Sequence, residues 1–260
     1  MSDFAHEEEF PVAPYTVQLY YSPERDYFPL APGDPPPQQI ASGVLIKNAT
    51  KYFLVTCKHV FDNINLEDVV ILIGAGLAVR LPNEVTFIND EKDSIDLALI
   101  QMKGARLSGL KSHYSFLPRR YLGFDHIFDE ELWYMLFGFR NKKTTREGYA
   151  FYVESFGFLT GIKRYKKFEK LGFSYDNNIT LEYNRRKQSD FGGDFGGVDT
   201  RQFGPKDLKG LSGGGIWLSV AGKKPETYNY ILVGIMIEER IDRGFIIGTK
   251  IGLIEEWLRK

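Results

Sequence analysis

Apolar positions recur along most of the chain with the spacing of short β-strands. Residues 15–21 alternate between apolar and polar side chains, which predicts an edge strand. The β-rich segments 41–47 and 51–57 flank a short turn and predict a hairpin. Further strands are predicted at about 68–73, 77–81, 84–88, 96–100, 132–138, 216–218, 229–238 and 243–249. The pattern indicates an all-β protein.

Three parts of the chain depart from this pattern. Residues 29–38 contain five prolines, which lack the N–H that a strand ladder needs, so an extended connector is predicted there. Residues 1–12 are acidic and are expected to be mobile. Residues 251–260 predict a C-terminal helix whose apolar side chains are available to pack, namely Ile251, Leu253, Ile254, Trp257 and Leu258.

One serine stands among four glycines in the sequence GLSGGG at 210–215. Glycine at 210 permits backbone dihedrals that are closed to other residues, so the N–H groups of Gly210 and Ser212 can point into one small space. Two converging N–H groups can stabilise the charge that forms on a carbonyl oxygen under attack. The segment is therefore a candidate nucleophile loop. An ordinary glycine-rich turn between strands is the alternative.

A serine hydroxyl becomes a good nucleophile only when a base removes its proton and a carboxylate orients that base. Of the four histidines, His59 ends a β-rich apolar segment. Asp96 opens an uninterrupted apolar run. Asp93 competes for the carboxylate role, and Asp96 is preferred because the apolar strand follows it directly. The candidate catalytic residues are His59, Asp96 and Ser212, in that order along the chain.

These segments together resemble the trypsin-like serine proteases of the chymotrypsin fold. YFLVTCKHV at 52–60 is similar to their V-T-A-A-H-V stretch, DLALI at 96–100 to D-I-A-L-L, and GLSGGG at 210–215 to G-D-S-G-G-P. LVGIM at 232–236 and GTKI at 248–251 look like the two strands that close the family's substrate pocket. The resemblance covers roughly residues 38–260, and all its parts occur in the family's order.

The resemblance implies two six-stranded antiparallel β-barrels, a short C-terminal helix and an active site in the cleft between the barrels. It implies a serine endopeptidase that forms an acyl-enzyme, with the N–H groups of Gly210 and Ser212 as the oxyanion hole. The implied organisation is a mobile N-terminus at 1–12, a first barrel with His59 and Asp96 at 13–105, a connection at 106–130, and a second barrel with Ser212 and the helix at 131–260.

Leu211 occupies the position where many secreted relatives carry an acid that pairs with an N-terminus freed by cleavage. Activation through a freed N-terminus is therefore not expected. In this respect the chain resembles intracellular bacterial trypsin-like peptidases.

By the same resemblance, four residues would line the pocket for the substrate residue before the scissile bond: Lys206, Ile237, Glu239 and Ile246. A lysine at the pocket floor would repel Lys and Arg, and a branched Ile246 would make the pocket shallow and apolar. The implied preference is cleavage after small or medium apolar residues. Cleavage after Asp or Glu is the alternative, if Lys206 points inward and is not paired with Glu239.

Composition and charge limit the cellular location and the kinds of partner that the sequence predicts. The single cysteine, Cys57, excludes an intramolecular disulfide, and residues 1–9 lack a secretory signal pattern, so a cytoplasmic location is expected. No apolar run reaches about 18 residues, so no membrane association is predicted. The net charge of −1 does not indicate nucleic-acid binding. No His/Cys cluster has metal spacing, so neither a metal nor a cofactor is predicted. Cys57 stands two residues before His59 on the same strand face and is expected to be a buried structural thiol, with a nucleophile or metal ligand as the alternative.

Two function classes remain open. One is an active serine endopeptidase acting on protein or peptide substrates. The other is a catalytically silent protease-fold module for binding or scaffolding, or a protease that a regulatory partner switches on. A basic cluster within 140–169 is expected to be solvated, with docking of an acidic partner as the alternative. The repeated Asp-Phe-Gly-Gly at 190–197 is expected to be a mobile loop and a candidate for regulation.

Overall fold

The computed structural model describes residues 11–23, 37–74, 77–89, 94–141, 145–147, 150–152, 155–184, 208–221 and 228–259. These residues are mostly β, with two large antiparallel sheets and a short C-terminal helix, as the sequence predicts. Several predicted features lie outside the described residues: the N-terminal segment 1–10, most of the proline-rich connector, Asp93, the loop 190–197 and Lys206.

The first sheet contains eight strands. They are β1 (Thr16–Tyr21), β2 (Gln38–Asn48), β3 (Lys51–Thr56), β4 (Val69–Leu72), β5 (Ala78–Arg80), β6 (Thr86–Asn89), β7 (Asp96–Met102) and β8 (Leu117–Pro118). Seven of them run antiparallel in the order β5-β4-β1-β2-β3-β7-β6, while β8 pairs with β2 in parallel. β2 and β3 form the predicted hairpin, in which Asn48 pairs with Lys51.

This sheet has two strands more than the six expected of a barrel. One addition is the short parallel strand β8. The other follows because β5 and β6 are separate strands, as predicted at 77–81 and 84–88, and Pro82 between them has no N–H for a ladder. β5 and β6 lie at opposite edges of the sheet and are joined by residues 81–85 alone. So short a link requires the edges to approach each other, and the sheet is therefore strongly curved.

β1 was predicted to be an edge strand, and this is wrong. It pairs with β2 along its whole length and with β4 through Tyr20 and Tyr21. The polar residues of the alternating pattern suggested solvent exposure, yet Thr16 and Gln18 are buried. Their side-chain oxygens find partners inside the protein, since Thr16 Oγ1 donates to Val12 O and the Tyr20 hydroxyl donates to Gln18 Oε1, whereas Gln18 Nε2 is buried without a partner. Polar positions in a strand therefore need not face water when hydrogen bonds satisfy them.

The remaining strands are β9 (Tyr134–Phe139), β10 (Thr145–Glu147), β11 (Ala150–Tyr152), β12 (Ser155–Thr160), β13 (Asn178–Glu182), β14 (Gly215–Ala221), β15 (Tyr228–Arg240) and β16 (Phe245–Lys250). Six of them form the second sheet in the order β12-β9-β14-β15-β16-β13, whereas β10 and β11 form a separate pair. Beyond β12, Ile162 bridges to Leu181 and the Lys163 N–H donates to Thr180 O at 3.0 Å. These contacts join the two edges of the second sheet.

Among the described residues, the larger clusters of buried apolar side chains are one within each sheet and one between the sheets. The shared cluster combines residues of the first sheet with residues of the second, among them Val55, Leu99, Phe137 and Trp217. Because both sheets pack on this common core, strand ends and loops that face each other across it are held in fixed positions.

Two α-helices complete the described fold. α1 (Gly104–Lys111) follows β7 in the chain and packs through Leu110 on the core of the first sheet, in a region where the sequence predicted no helix. Gly104 and Gly109 weaken the helical signal of this segment. α2 (Glu255–Arg259) follows a 3₁₀ turn, Ile251–Ile254, so the predicted C-terminal helix begins later than expected. No helix among the described residues is both long and apolar enough to cross a membrane.

Candidate active site

The candidate site begins where β3 ends and β7 starts. The two strands are antiparallel neighbours, and Thr56 pairs with Ala98 in their ladder. Asp96 therefore lies beside the chain that leaves β3. That chain turns at once into a 3₁₀ helix, Lys58–Phe61, which carries His59. The topology thus brings His59 and Asp96 together, although they are 37 positions apart in sequence.

Asp96 holds His59 at two points. Its Oδ2 lies 2.5 Å from the ring Nδ1, and its Oδ1 accepts a hydrogen bond from the His59 backbone N–H at 2.9 Å. Because the backbone fixes one carboxylate oxygen, the other meets the ring in a defined orientation. The Asp96 hydrogen bond, with a smaller contribution from Cys57, raises the pKa of His59 to about 11, and burial acts in the opposite direction. This is the geometry that an imidazole base and its orienting carboxylate require.

The second ring nitrogen of His59 faces a thiol. Nε2 lies 3.8 Å from the Sγ of Cys57. Cys57 is completely buried, as predicted, and burial raises the pKa of its thiol. The residue packs in a small apolar cluster with Phe168, Ile237, Phe245 and Ile247. Cys57 thus belongs to the core and also contacts the ring of the candidate base.

The candidate nucleophile loop, 208–214, folds as two successive tight turns. The Leu211 N–H donates to Leu208 O at 3.0 Å, and the Gly214 N–H donates to Leu211 O at 2.7 Å. Both turns are hydrogen-bonded within the loop, so the backbone around Ser212 is held in a compact conformation. Leu211 itself is fully buried and has no exposed polar group to offer an N-terminus.

Two glycines allow this conformation. Gly210 has φ +92° and Gly213 has φ +84°, both in the left-handed region that favours glycine. Space is short as well, because a Cβ added to Gly210 would lie 2.6 Å from the backbone N of Asn141 and 2.8 Å from the O of Phe139. Glycine at 210 is therefore required both by its dihedral angle and by its neighbours, in agreement with the sequence analysis.

The loop is attached to both sheets by backbone and side-chain hydrogen bonds. Ser42 of β2 donates its N–H to Ser212 O and its Oγ–H to Gly210 O, each at 2.8 Å. On the other side, the Gly213 N–H donates to Met236 O of β15 at 2.8 Å. Ser212 therefore lies at the junction of the two sheets, where the sequence analysis expected the active-site cleft.

The N–H groups of Gly210 and Ser212 are those expected to form the oxyanion hole. Within the part of the chain that the structure describes, neither group donates to an internal acceptor. Buried backbone N–H groups are normally paired, so N–H groups left open in a rigid loop are available to a ligand oxygen. Their role as an oxyanion hole remains a prediction.

The Ser212 loop also packs against the strand end that leads to His59. A Cβ added to Gly213 would lie 2.1 Å from Oγ1 of Thr56, three residues before His59. Ser212 is partly exposed. Across the described residues, however, no hydrogen bond joins the Ser212 hydroxyl to His59. The structure thus places the two segments in contact and leaves the serine and the ring unbonded.

A pocket of about 390 Å³ opens beside the His59–Asp96 pair. Two ion pairs lie at its border, Lys58 with Asp62 at 3.6 Å and Glu238 with Arg240 at 2.5 Å. Burial raises the pKa of Glu238. The pocket is lined by Lys58, His59, Asp62, Ile95, Asp96, Phe173, Ile237 and Glu238.

The four predicted substrate-pocket residues meet different outcomes. Ile237 lines the pocket beside His59, although only 4% of it is exposed. The Glu239 carboxylate accepts a hydrogen bond from the Leu208 N–H. Ile246 is fully buried among the core side chains of the second sheet, so the expectation that it lines a pocket is not met. Lys206 lies outside the described residues.

Glu238 and Phe173 are pocket residues that the sequence analysis missed. The family resemblance implied Ile237 and Glu239 as the lining residues of this strand. The ladder with β16 shifts register between Met236 and Glu238, which places an extra residue in β15 and breaks the alternation. No local signal in the sequence marks this bulge.

Comparison with known proteins supports the fold assignment. No family model matches the chain, and no curated protein sequence matches it. Among solved structures, it is similar to the scabies mite inactivated protease paralogue S-I1, with 14% identity over 95% of this chain and 93% of that one and a TM-score of 0.54. At this identity the likeness shows the fold alone. The chain therefore has a chymotrypsin-like fold.

Proposed function

We propose that this protein is a serine endopeptidase in which Ser212 is the nucleophile, His59 the base and Asp96 the carboxylate that orients the base. The observation that carries the proposal is the two-point contact of Asp96 with His59, through Nδ1 at 2.5 Å and through the backbone N–H at 2.9 Å. One carboxylate oxygen fixed by backbone and one on the ring would select, in the neutral ring, the tautomer that leaves Nε2 free to accept a proton. Because the pKa of His59 is raised to about 11, the neutral fraction, and with it the expected activity, rises with pH.

In the proposed reaction, Ser212 Oγ attacks the substrate carbonyl while its proton passes to Nε2 of His59. The N–H groups of Gly210 and Ser212 stabilise the oxyanion. The protonated ring then donates its proton to the leaving amine, and the acyl-enzyme forms. Water attacks the acyl carbonyl by the same route in reverse, which releases the carboxylic acid and restores Ser212 and His59.

Specificity belongs to the same proposal. A preference for small or medium apolar residues before the scissile bond is supported by the apolar Ile237 beside His59. The Glu239 carboxylate already accepts the Leu208 N–H, so a substrate ammonium or guanidinium would have to compete for it. A dominant preference for Lys or Arg in a peptide library would refute this part. We further propose that the enzyme acts in the cytoplasm, as the single cysteine favours.

A second candidate is a silent protease-fold module, or a protease that a partner must switch on. Two observations favour it. Nε2 of His59 faces Cys57, and across the described residues it makes no hydrogen bond to Ser212. The similar scabies mite structure is described as an inactivated protease paralogue. Catalytic hydrogen bonds often tighten only when substrate binds, so this arrangement is compatible with both candidates.

Labelling with a fluorophosphonate probe separates the two. The active enzyme is expected to be labelled, and Ser212→Ala is expected to abolish labelling. Ser108→Ala, a change of an exposed serine on α1, is the matched control and is expected to label normally. Absence of labelling in the wild-type chain, or undiminished labelling of Ser212→Ala, would refute the proposed mechanism.

Peptide hydrolysis supplies the second test. Ser212→Ala and His59→Ala are each expected to lower kcat by several orders of magnitude, and the double variant is expected to be scarcely worse than either single one. The reason is that the groups act as a unit, so that losing one removes the contribution of the others. Losses that multiply in the double variant would contradict this reasoning.

A further inference from the structure

The distance between His59 Nε2 and Cys57 Sγ is close to the distance between two ligand atoms of one metal ion. Zinc binds Cys at about 2.3 Å and His at about 2.0–2.1 Å. With these bond lengths, the observed 3.8 Å between Sγ and Nε2 corresponds to an angle of about 120° at the metal, close to the tetrahedral value. The two ligand atoms therefore need little movement to share one ion.

Asp96 is placed as the carboxylate partner that metal-bound histidines commonly have. Such histidines commonly donate the other ring N–H to a carboxylate, which fixes the tautomer and makes the ligating nitrogen more basic. Asp96 Oδ2 lies 2.5 Å from Nδ1 in this relation. Ligand atoms of all three residues lie within 4.8 Å of one another. Spacing along the chain did not predict this cluster, because Asp96 joins it only through the pairing of β3 with β7.

An ion could reach this position from solvent. Cys57 is buried, but the His59 side chain is 43% exposed and lines the 390 Å³ pocket. The pocket also holds Glu238, but its carboxylate is paired with Arg240 at 2.5 Å, so the attraction of an ion to this position depends on Cys57 and His59. Coordination positions that the protein does not fill would face the pocket and take water.

We propose that a borderline-soft divalent cation, of which zinc is the type, binds between Cys57 Sγ and His59 Nε2 and reversibly inhibits the site. On binding, the thiol proton and the proton that Nε2 carries in the protonated ring both leave to solvent, the freed Nε2 lone pair binds the ion, and Nδ1–H remains hydrogen-bonded to Asp96. The same lone pair would have to accept the Ser212 proton during catalysis. The cation and the reaction therefore compete for one atom. Only the inhibition rests on the proposed function; the binding does not.

Cobalt is a suitable probe, because a thiolate bound to Co²⁺ gives a charge-transfer band in the near ultraviolet. Cys57 is the only cysteine in the chain, so such a band can arise only from it. Titration of the Ser212→Ala protein with Co²⁺ is expected to produce the band with saturation near one ion per chain and release of at least one proton. Zinc is expected to displace the cobalt and abolish the band.

Three variants make the assignment specific. Cys57→Ala is expected to lose the band, and so is His59→Ala, which leaves the buried thiol in place and alters an exposed side chain. His113→Ala changes another exposed histidine and is expected to bind as the parent does. No band in the parent, or a band of unchanged affinity in His59→Ala, would overturn the proposal.

Inhibition is measured on the wild-type chain. Zinc is expected to block fluorophosphonate labelling at low concentration, and a chelator is expected to restore it. Relative to its own labelling without zinc, Cys57→Ala is expected to need at least tenfold more zinc for the same fractional inhibition, since one of the two protein ligands is gone. Equal zinc sensitivity of Cys57→Ala would refute the site. If the cobalt band appears but the wild-type chain is never labelled by the fluorophosphonate, the metal site is supported and the proposed function is refuted.

Discussion

Gly213→Ala tests whether the Ser212 loop depends on its contact with the strand that leads to His59. A Cβ at this position would lie 2.0 Å from Ser42 O and 2.1 Å from Thr56 Oγ1. Ser42 cannot easily retreat, because its N–H donates to Ser212 O at 2.8 Å. The Ser42 carbonyl also accepts the Thr56 hydroxyl at 2.7 Å, so the new methyl group would break that bond as well.

Three costs contribute to the expected loss of stability. The left-handed backbone, φ +84°, costs an alanine about 1–2 kcal/mol. Overpacking in a tight interior costs about 1–3 kcal/mol. Loss of the hydrogen bond between Thr56 and Ser42 adds about 1 kcal/mol. We therefore expect the free energy of unfolding to fall by about 3–6 kcal/mol, or the loop to move and relieve part of this strain.

Two other glycines separate these costs. Gly172 has φ +87° with no atom within 4 Å of an added Cβ, so Gly172→Ala should lose only the dihedral cost of about 1–2 kcal/mol. Gly161 has neither a positive φ nor a near neighbour, so Gly161→Ala should change the stability by less than about 0.5 kcal/mol. The series thus isolates the contribution of the contact at Gly213.

Urea unfolding gives the free energies, and fluorophosphonate labelling reports the state of Ser212. Gly213→Ala is expected to lose labelling even where it remains folded, because relief of the clash moves Ser212 away from β2 and β3. Gly172→Ala is expected to label normally. Equal destabilisation by Gly213→Ala and Gly172→Ala, with labelling intact in both, would show that the contact of Gly213 with Ser42 and Thr56 does not hold the loop.

Two further predictions concern ionised groups. Asp96→Asn is expected to lower the pKa of His59 from about 11 towards its usual value of about 6.5, and NMR titration of the ring measures this. Because the folded-state pKa of His59 is raised, its interaction with Asp96 stabilises the fold fully below about pH 6.5 and progressively less as the pH rises towards 11. The free energy of unfolding that Asp96→Asn loses should therefore shrink over that window. A loss that grows with pH would contradict this reasoning. Glu255→Gln weakens the contact of α2 with Arg119, which is 2.7 Å long and partly buried, and should cost about 0.5–1 kcal/mol in urea unfolding. Glu256→Gln, the exposed neighbour, is the control and should cost almost nothing; equal losses in the two would refute the role of the ion pair.

The sequence predicts the pairing of His59 with Asp96 because both residues stand at the ends of strongly apolar strands. An apolar run such as 97–100 must be buried, and a β-rich run such as 52–57 must pair with another strand. When two such strands are neighbours, the polar residues at their ends meet. The glycines of the 210–215 loop carry a similar constraint, since a positive φ and a crowded backbone leave few other residue types acceptable.

Other features depend on partners that are remote in sequence. The position of β1 between β2 and β4 follows from pairings with Val44 and Val70, which the alternation at 15–21 does not encode. The burial of Thr16 and Gln18 depends on hydrogen bonds to Val12 and Tyr20. Local periodicity predicts which face of a strand could be exposed to water. Whether that face is exposed depends on the strands that pair and pack with it in the assembled sheet.

The bulge at Ile237 is the clearest case in which assembly of the sheet decides the surroundings of the candidate base. On one side of β15, Met236 donates its N–H to Gly214 O at 2.9 Å and accepts the Gly213 N–H at 2.8 Å, so this edge holds the candidate nucleophile loop. On the other side, the register with β16 shifts at the very next residue. The shift turns Ile237 against Cys57 and brings Glu238 to the pocket of His59. A regular strand would hold the loop equally well but would present different side chains to the base, so the side chains that β15 contributes beside His59 are determined by one irregular residue that periodicity alone cannot locate.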